Sequence, residues 1–589
     1  MKSKASSAKK ELMLRGIGTS PGIAIGSVYA FHHLSINLSE LEIKVDDIER
    51  EFLQFDNAIR KVREQLEYIR QYSLEAYHNQ FTEIFDSQIA FLHDQILIGE
   101  IKQEIERTKH SSAYVVSRVL SEKSDYLINL ENTYFRERAF DVMDLKQKLI
   151  NALLGIEMDY QLTRPSIVVA EMLTPSDTIH FNRNFLLGFL TDKGGKTSHS
   201  AIMARGLRIP SVVNGYNLSK MIQPSDRVII DGAEGSIIVN PTPETEKYYE
   251  QLHKEYQEFE KSLAAHVSES SETLDGQQVE LLANIEFLHE IRDVKSNRAQ
   301  GIGLFRTESM FIEKGVELSE EEQFAVYKQL CSQMSPREVT IRTIDLGGDK
   351  LMAGFQDENE MNPFMGWRAI RFCLDRPDFF KIQLRAILRA AVYGKARILL
   401  PMISSIEEII QTQLLIREVK EELTASGQKF NAELPIGIMV ETPAAASLAK
   451  FFVQYVDFFS IGTNDLTQYV LAIDRTNEKV SKSYNTFNPA VLDSVASTIK
   501  IARNNQTGVT ICGEFAATPA AIPLLLGMGL RSFSMNPHAL PEAKKIIRSM
   551  PVPQCERLYK RTRSMHTAGE IERECMRFIK KQVPDLKFI

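Results

Sequence analysis

Residues 436–469 read IGIMVETPAAASLAKFFVQYVDFFSIGTNDLTQY. An apolar strand (IGIMVE, Ile436–Glu441) gives way to a helix-period stretch, a second strand follows (DFFSIG, Asp457–Gly462), and helical spacing then resumes. The unit recurs on both sides. VELLANI begins at Val279, GIGLFR at Gly301, VTIRTID at Val339 and RILLPM at Arg397; VTICGE at Val509 and SFSM at Ser532 complete the set. Eight β units across about 300 residues, each trailed by a helical stretch, predict a (β/α)8 barrel; a doubly wound open sheet is the alternative, and eight units favour closure.

The barrel is one of several parts, since 589 residues at about 100–200 per domain make three or four. Working back from it, Ser268–Thr273 (SESSET) ends a charged helix whose stripe is Tyr248, Leu252, Tyr256, Phe259 and Leu263. This is a linker helix over 243–270, read as a spacer or a hinge. Before it lie strand-like runs at Ser166–Ala170, Leu187–Leu190, Ser211–Val213 and Val228–Ile230, and near the start Gly16–Ala30 reads as turn-rich chain with a short strand. Between these come helical periods: Phe52, Phe55, Ile59, Val62, Leu66 and Ile69, then stretches over about 81–107, 113–128 and 134–153. The boundaries expected are an α/β domain over 1–30 and 151–242, interrupted by an all-helical insertion over 31–150, then the linker and a barrel over 271–589.

Composition excludes several classes. Charged residues at 25% and hydrophobic residues at 43% are ordinary for a globular chain, and a net charge of −7 offers no basic field for nucleic acid or an anionic membrane. The five cysteines are scattered without CxxC spacing, which disfavours disulfides and structural zinc and suits a reducing compartment. Met1–Lys10 leads into no apolar signal core, and no stretch approaches a membrane span, so a cytoplasmic location is expected.

A barrel of this kind places its chemistry at the carboxyl ends of its strands. Those ends carry Arg306, Arg342 with Asp345, Glu441, Asn464-Asp465 and Cys512, with Arg475 in the loop after strand six. Glu441 and Asp465, on adjacent strands about 5 Å apart, repel unless a cation lies between them, and hard oxygen ligands suit Mg²⁺ or Mn²⁺. Capping a helix or pairing with arginine is the blander reading of each. Arg306, Arg342, Arg368 and Arg475 supply charged forks for a small, highly anionic substrate. The long connection Leu346–Ile387 reads as a lid or wall. Cys512 reads equally as a buried apolar side chain or as an acid.

In the α/β domain, Gly194–Arg205 reads GGKTSHSAIMAR. Its glycines let backbone amides approach an anion, Thr197 or Ser198 can cap a helix starting near Ser200, and His199 would sit at that N-terminus, where a phosphate on its imidazole is favoured.

These segments resemble Enzyme I of the bacterial phosphotransferase system, the phosphoenolpyruvate–protein phosphotransferases. The likeness runs over the whole chain beyond about residue 13. It rests on GGKTSHSAIMAR, IMVETPAAA (Ile438–Ala446), FFSIGTNDLTQY (Phe458–Tyr469), RTIDLGGDK, NPFMGWRAIR, GLFRTE and, in the helical part, YFRERAFDVMD (Tyr134–Asp144). The resemblance implies a swivelling phosphohistidine α/β domain with an inserted all-helical carrier-binding domain, followed by a TIM-like barrel that binds phosphoenolpyruvate and forms a homodimer. It implies phosphorylation of His199, transfer to the phosphocarrier protein HPr and release of pyruvate. It also implies Glu441 and Asp465 as Mg²⁺ ligands; Arg306, Arg342, Asn464, Asp465 and Arg475 around phosphoenolpyruvate, with Arg368 near the phosphoryl group; Cys512 as proton donor; and Thr178, in LTPSDT, beside the histidine. Hinges are expected near 151–165 and 238–244. Two departures stand out: Glu286 after ANI, where the family commonly has glycine, and a less acidic stretch at 78–98.

The neighbouring alternatives explain less. A pyruvate phosphate dikinase or phosphoenolpyruvate synthase needs a nucleotide-binding domain, and a nitrogen-branch Enzyme I needs an extra sensor domain, for which only about 30 residues precede the helical insertion. A non-catalytic scaffold should have lost His199 and the acid pair, and a metal-dependent aldolase leaves the histidine segment idle.

Overall fold

The computed structural model describes residues 10–32, 47–77, 82–128, 133–156, 158, 160–195, 199–207, 209–215, 217–224, 226–314, 318–346, 362–475, 477 and 479–584. The chain forms two compact units, Met1–Glu258 and Phe259–Lys587, and passes from one to the other inside the helix Pro243–His266.

In the first unit, strands β1 (Leu12–Arg15), β2 (Ile17–Ser20), β3 (Ile23–Phe31), β4 (Ser166–Ala170), β5 (Leu186–Thr191), β6 (Ser211–Val213), β7 (Arg227–Asp231) and β8 (Ser236–Val239) make one mixed sheet in the order β1-β8-β7-β3-β4-β5-β6-β2. The middle run β3-β4-β5-β6 is parallel, and its strand SIVVA is buried at every position, as strands covered on both faces are. Gly16–Ala30 holds more strand than its sequence suggested. Two of its glycines stand at strand junctions, Gly16 between β1 and β2 and Gly22, at φ +119°, between β2 and β3, while Gly18 and Gly26 lie within strands.

The helical part comprises Ile48–Tyr77, Thr82–Phe91, Gln95–Thr108, Ser112–Ile128 and Thr133–Leu154. Phe55, Ile59, Val62, Leu66 and Ile69 are buried in one core with Val168, Phe189 and Met203, so the helices pack on the sheet. The stretch expected as one helix over 81–107 is two. Asp94 breaks it, its carboxylate accepting from the amides of Ile96 (2.8 Å) and Leu97 (3.3 Å) as an N-cap inside an apolar period. The last helix runs from Thr133 to Leu154, one residue beyond the expected 134–153 at each end.

In the second unit, β9 (Glu280–Ile285), β10 (Gly301–Phe305), β11 (Glu338–Arg342), β12 (Lys395–Leu400), β13 (Ile436–Val440), β14 (Phe458–Ile461), β15 (Gly508–Ile511) and β16 (Ser532–Met535) close into an all-parallel barrel, β16 pairing with β9. The open-sheet alternative is thereby removed. The linker helix ends at His266, short of the expected 270. Among the described residues no helix is long and apolar enough to cross a membrane.

Candidate active site

Most barrel residues singled out from sequence sit at the carboxyl ends of strands, while Arg368 lies just before the helix Ile370–Asp375 and Arg475 beyond the helix Thr463–Leu471. Arg306 follows β10, Arg342 closes β11, Glu441 follows β13, Asn464 and Asp465 lie in the first turn of the helix Thr463–Leu471 after β14, and Cys512 follows β15.

The structure joins four residues read from sequence (Arg342, Asp345, Arg368 and Asp465) and one more, Glu308, by charge. Glu308 Oε2 lies 2.9 Å from an Arg342 terminal nitrogen, and Arg342 reaches Asp345 at 3.3 Å. Arg368 donates to both Asp345 oxygens, at 2.8 and 3.0 Å, and its same nitrogen lies 3.4 Å from Asp465. Burial alone would loosen the guanidinium protons. The carboxylates outweigh it, Glu308 leading at Arg342 and Asp345 at Arg368, so both arginines hold their charge more tightly than ordinary ones. Arg368 is anchored by Asp345. Ala369 beside it adopts φ +52°, ψ −126°, a conformation an L-residue holds only when its surroundings impose it.

Glu441 is buried at 2% exposure, and its Oε1 accepts the Met402 amide at 2.7 Å. Met402 takes φ +58° in doing so. A Cβ at Gly462 would come within 2.9 Å of Glu441 Oε2, so glycine there leaves the carboxylate its space. Burial first, then Asp465 and Asp345, push the Glu441 carboxyl well above the usual range. Four carboxyl groups (Glu308, Asp345, Glu441, Asp465) face two guanidiniums in this cluster, an excess of two negative charges once Glu441 gives up its proton. A divalent cation fits that excess, with Glu441 and Asp465 as hard oxygen ligands. Among the described residues no group of three or more His, Cys, Asp or Glu side chains is arranged to hold a metal ion.

Cys512 is a buried, packed side chain, as one of its two readings expected. Its side chain packs with Leu304, Leu399, Met439 and Phe458, and burial pushes its thiol up to about 11, so it keeps its proton at neutral pH. Its carbonyl accepts from Asn284 Nδ2 at 2.8 Å, tying β9 to β15. Asn464 donates to Glu514 Oε1 at 3.3 Å and accepts from the Glu514 amide at 3.1 Å; its carbonyl accepts from Tyr484 Oη at 2.8 Å. Arg475 is exposed, its amide donating to Gln468 at 3.2 Å. Glu286 accepts from the Ser309 hydroxyl.

In the first unit the helix starts at His199, one residue earlier than expected, and runs to Leu207, with Ala201, Met203, Ala204 and Leu207 buried. The His199 side chain and Lys196–Ser198, with the two candidate caps, lie outside the described residues, as does GGDK at 347–350. Thr178 is buried on the helix Pro175–His180, which packs beside the His199 helix. That short helix carries a capping box, Thr174 with Asp177, and Tyr160 donates to Asp177 Oδ1 at 2.8 Å.

Comparison with known proteins bears on the same segments. Residues 260–552 match the family described as PEP-utilising enzyme, PEP-binding domain; residues 15–138 match its N-terminal domain and 162–235 its mobile domain. A phosphoenolpyruvate-protein phosphotransferase of Bacillus sp. (strain S) is 39% identical over 566 residues, covering 96% of this chain and 98% of its own. That of Bacillus subtilis (strain 168) is 39% identical over 560 residues, covering 95% and 98%. This chain belongs to the phosphoenolpyruvate-protein phosphotransferase family. Within that family frame, sequence reasoning passed over Glu308 and Asn284. Glu308 stood inside the quoted GLFRTE but carries no local sign of a partner 34 residues on, and Asn284 is one polar residue in an apolar strand.

Proposed function

We propose that the chain takes the phosphoryl group of phosphoenolpyruvate onto His199 and passes it to HPr, releasing pyruvate. It is an enzyme, and phosphoryl transfer from phosphoenolpyruvate to histidine in the phosphotransferase system is its reaction. The observation that carries the assignment of the barrel site is the Arg342–Asp345–Arg368–Asp465 chain, buried up to Arg368, beside Glu441. It is a mouth built for a small polyanion, on a chain that also presents a histidine at a helix N-terminus.

In this reading Arg306, Arg342 and Arg475 neutralise the carboxylate and phosphate of the substrate, Asn464 orients it, and Arg368 stands near the phosphoryl group. Neutral His199 attacks phosphorus in line; the N–P bond forms as the bond from phosphorus to the enol oxygen breaks. Positioning and charge stabilisation do most of the work for such a loose transition state. The Cys512 thiol, protonated at neutral pH, gives its proton to the enolate carbon, yielding pyruvate. Mg²⁺, held by Glu441 and Asp465, would supply further neutralisation of the charge that moves to the leaving oxygen.

Residues 31–150 carry the HPr-binding surface, 1–30 with 151–242 the phosphohistidine domain in which Thr178 supports His199, 243–270 the linker, and 271–589 the barrel through which two chains pair. The protein works in the cytoplasm. One imidazole that serves both the barrel mouth and HPr has to travel between them, and the helix Pro243–His266 is the connection across which that movement runs. Incubation with labelled phosphoenolpyruvate, Mg²⁺ and HPr tests the reading: label should appear on both proteins and pyruvate in solution, and absence of label on this chain would reject it.

A further inference from the structure

Arg306, Thr307 and Glu308 are consecutive after β10, and the last two reach across to β11 and the chain that follows it. Both are fully buried. The Thr307 hydroxyl donates to the main-chain oxygen of Arg342 at 3.0 Å. Glu308 Oε1 accepts the Asp345 amide at 3.0 Å, and Oε2 lies 2.9 Å from the Arg342 guanidinium. The intervening backbone is held as well. The Thr343 amide donates to Leu399 (3.0 Å) and the Ile344 amide to Gln383 Oε1 (3.0 Å), while Gln383 itself donates to Tyr327 (3.1 Å) and Thr307 (3.4 Å). The other terminal nitrogen of Arg342 is spoken for by Asp345 at 3.3 Å and by Met439 Sδ at 3.9 Å. Arg342 Nε is buried and has no hydrogen-bond partner among the described residues.

A guanidinium presents its donors in a rigid plane, so fixing two corners decides where the third points. We propose that Glu308 is a positioning residue for phosphoenolpyruvate turnover: with Asp345 it sets the plane of Arg342, and so the direction in which the guanidinium's remaining protons meet a substrate oxygen. This rests on the reading of Arg342 as a substrate arginine. Glu308 touches no substrate itself. A carboxylate that served only as counter-charge would act differently. Removing it would leave the mouth more positive and favour the anionic substrate, lowering KM and sparing kcat.

The test is steady-state kinetics with phosphoenolpyruvate on full-length Glu308→Gln and Glu308→Asp, with the thermal midpoint and Trp367 emission checking the fold. Gln keeps the acceptor for the Asp345 amide but loses the charge. Asp keeps the charge but withdraws it by one methylene. Both should lower kcat about tenfold or more without lowering KM, since tenfold corresponds to a modest misplacement of one donor. Wild-type kcat in Glu308→Gln overturns the proposal, and so does recovery of kcat in Glu308→Asp, which would make charge rather than position the requirement. If Glu308→Gln does not fold, Glu308→Asp decides alone. Arg342→Lys separates the premise from the inference. Full activity in Arg342→Lys would sink the reading of Arg342, whereas an impaired Arg342→Lys beside wild-type Glu308 variants would sink only the role of Glu308.

Discussion

Replacing Glu441 by glutamine should remove a pH dependence whose sign is opposite to that of an ordinary ion-paired carboxylate. The Glu441 carboxyl is buried and faces Asp465 and Asp345, so in the folded, metal-free protein its pKa stands well above the usual 4.5, to which it returns on unfolding. Between those two values the folded state holds a proton that the unfolded state has released. Stability from this group is therefore full below the unfolded pKa and declines as pH rises toward the folded one. One proton sets the slope at no more than about 1.4 kcal/mol per pH unit. Glutamine carries no proton to lose, so the Glu441→Gln protein should gain on wild type by up to that slope across about pH 5 to 7. Urea unfolding in EDTA, followed by fluorescence, reads the difference. Trp367 is the only tryptophan in the chain and belongs to the barrel unit, so its emission reports that unit. Glu542, pushed up to about 7 by burial, and Glu290, also raised by burial, decline in both proteins and cancel in the comparison. Parallel curves for the two proteins would refute the account of Glu441.

Asp345→Ala strips the shared partner from two buried guanidiniums and should cost about 3–5 kcal/mol of barrel stability, seen as a lower urea midpoint in Trp367 emission; an unchanged midpoint would mean the two arginines do not depend on it. Cys512→Ala should lower kcat about a hundredfold, the size of a lost general acid, with KM for phosphoenolpyruvate near wild type, and unchanged kcat would return Cys512 to a packing role.

The barrel was legible because parallel strands buried on both faces are unbroken apolar runs, and VELLANI or IGIMVE followed by helical spacing leaves few other folds open. The small strands were not. β1, β2 and β8 have four residues each, too few to show a period, and glycines at their ends read as loop. Asp94 hid for the reverse reason, as a single N-cap inside an apolar period. In the candidate site, the residue types at strand ends were readable, since the barrel dictates that Arg342, Glu441 and Asp465 share one face of the molecule. Their pairing was not readable. That Arg368 leans on Asp345, or that Glu308 reaches Arg342, depends on neighbouring strands coming together, and no local spacing encodes it. The left-handed Met402 and the strained Ala369 carry no glycine to announce them.

The most direct test of the account is to locate the phosphoryl group. Full-length protein incubated with phosphoenolpyruvate and Mg²⁺, digested under alkaline conditions that preserve phosphohistidine and sequenced by mass spectrometry, should carry one phosphoryl group on His199. His199→Ala should carry none and release no pyruvate. A phosphoryl group on any other residue, or pyruvate release by the His199→Ala protein at the wild-type rate, would contradict it.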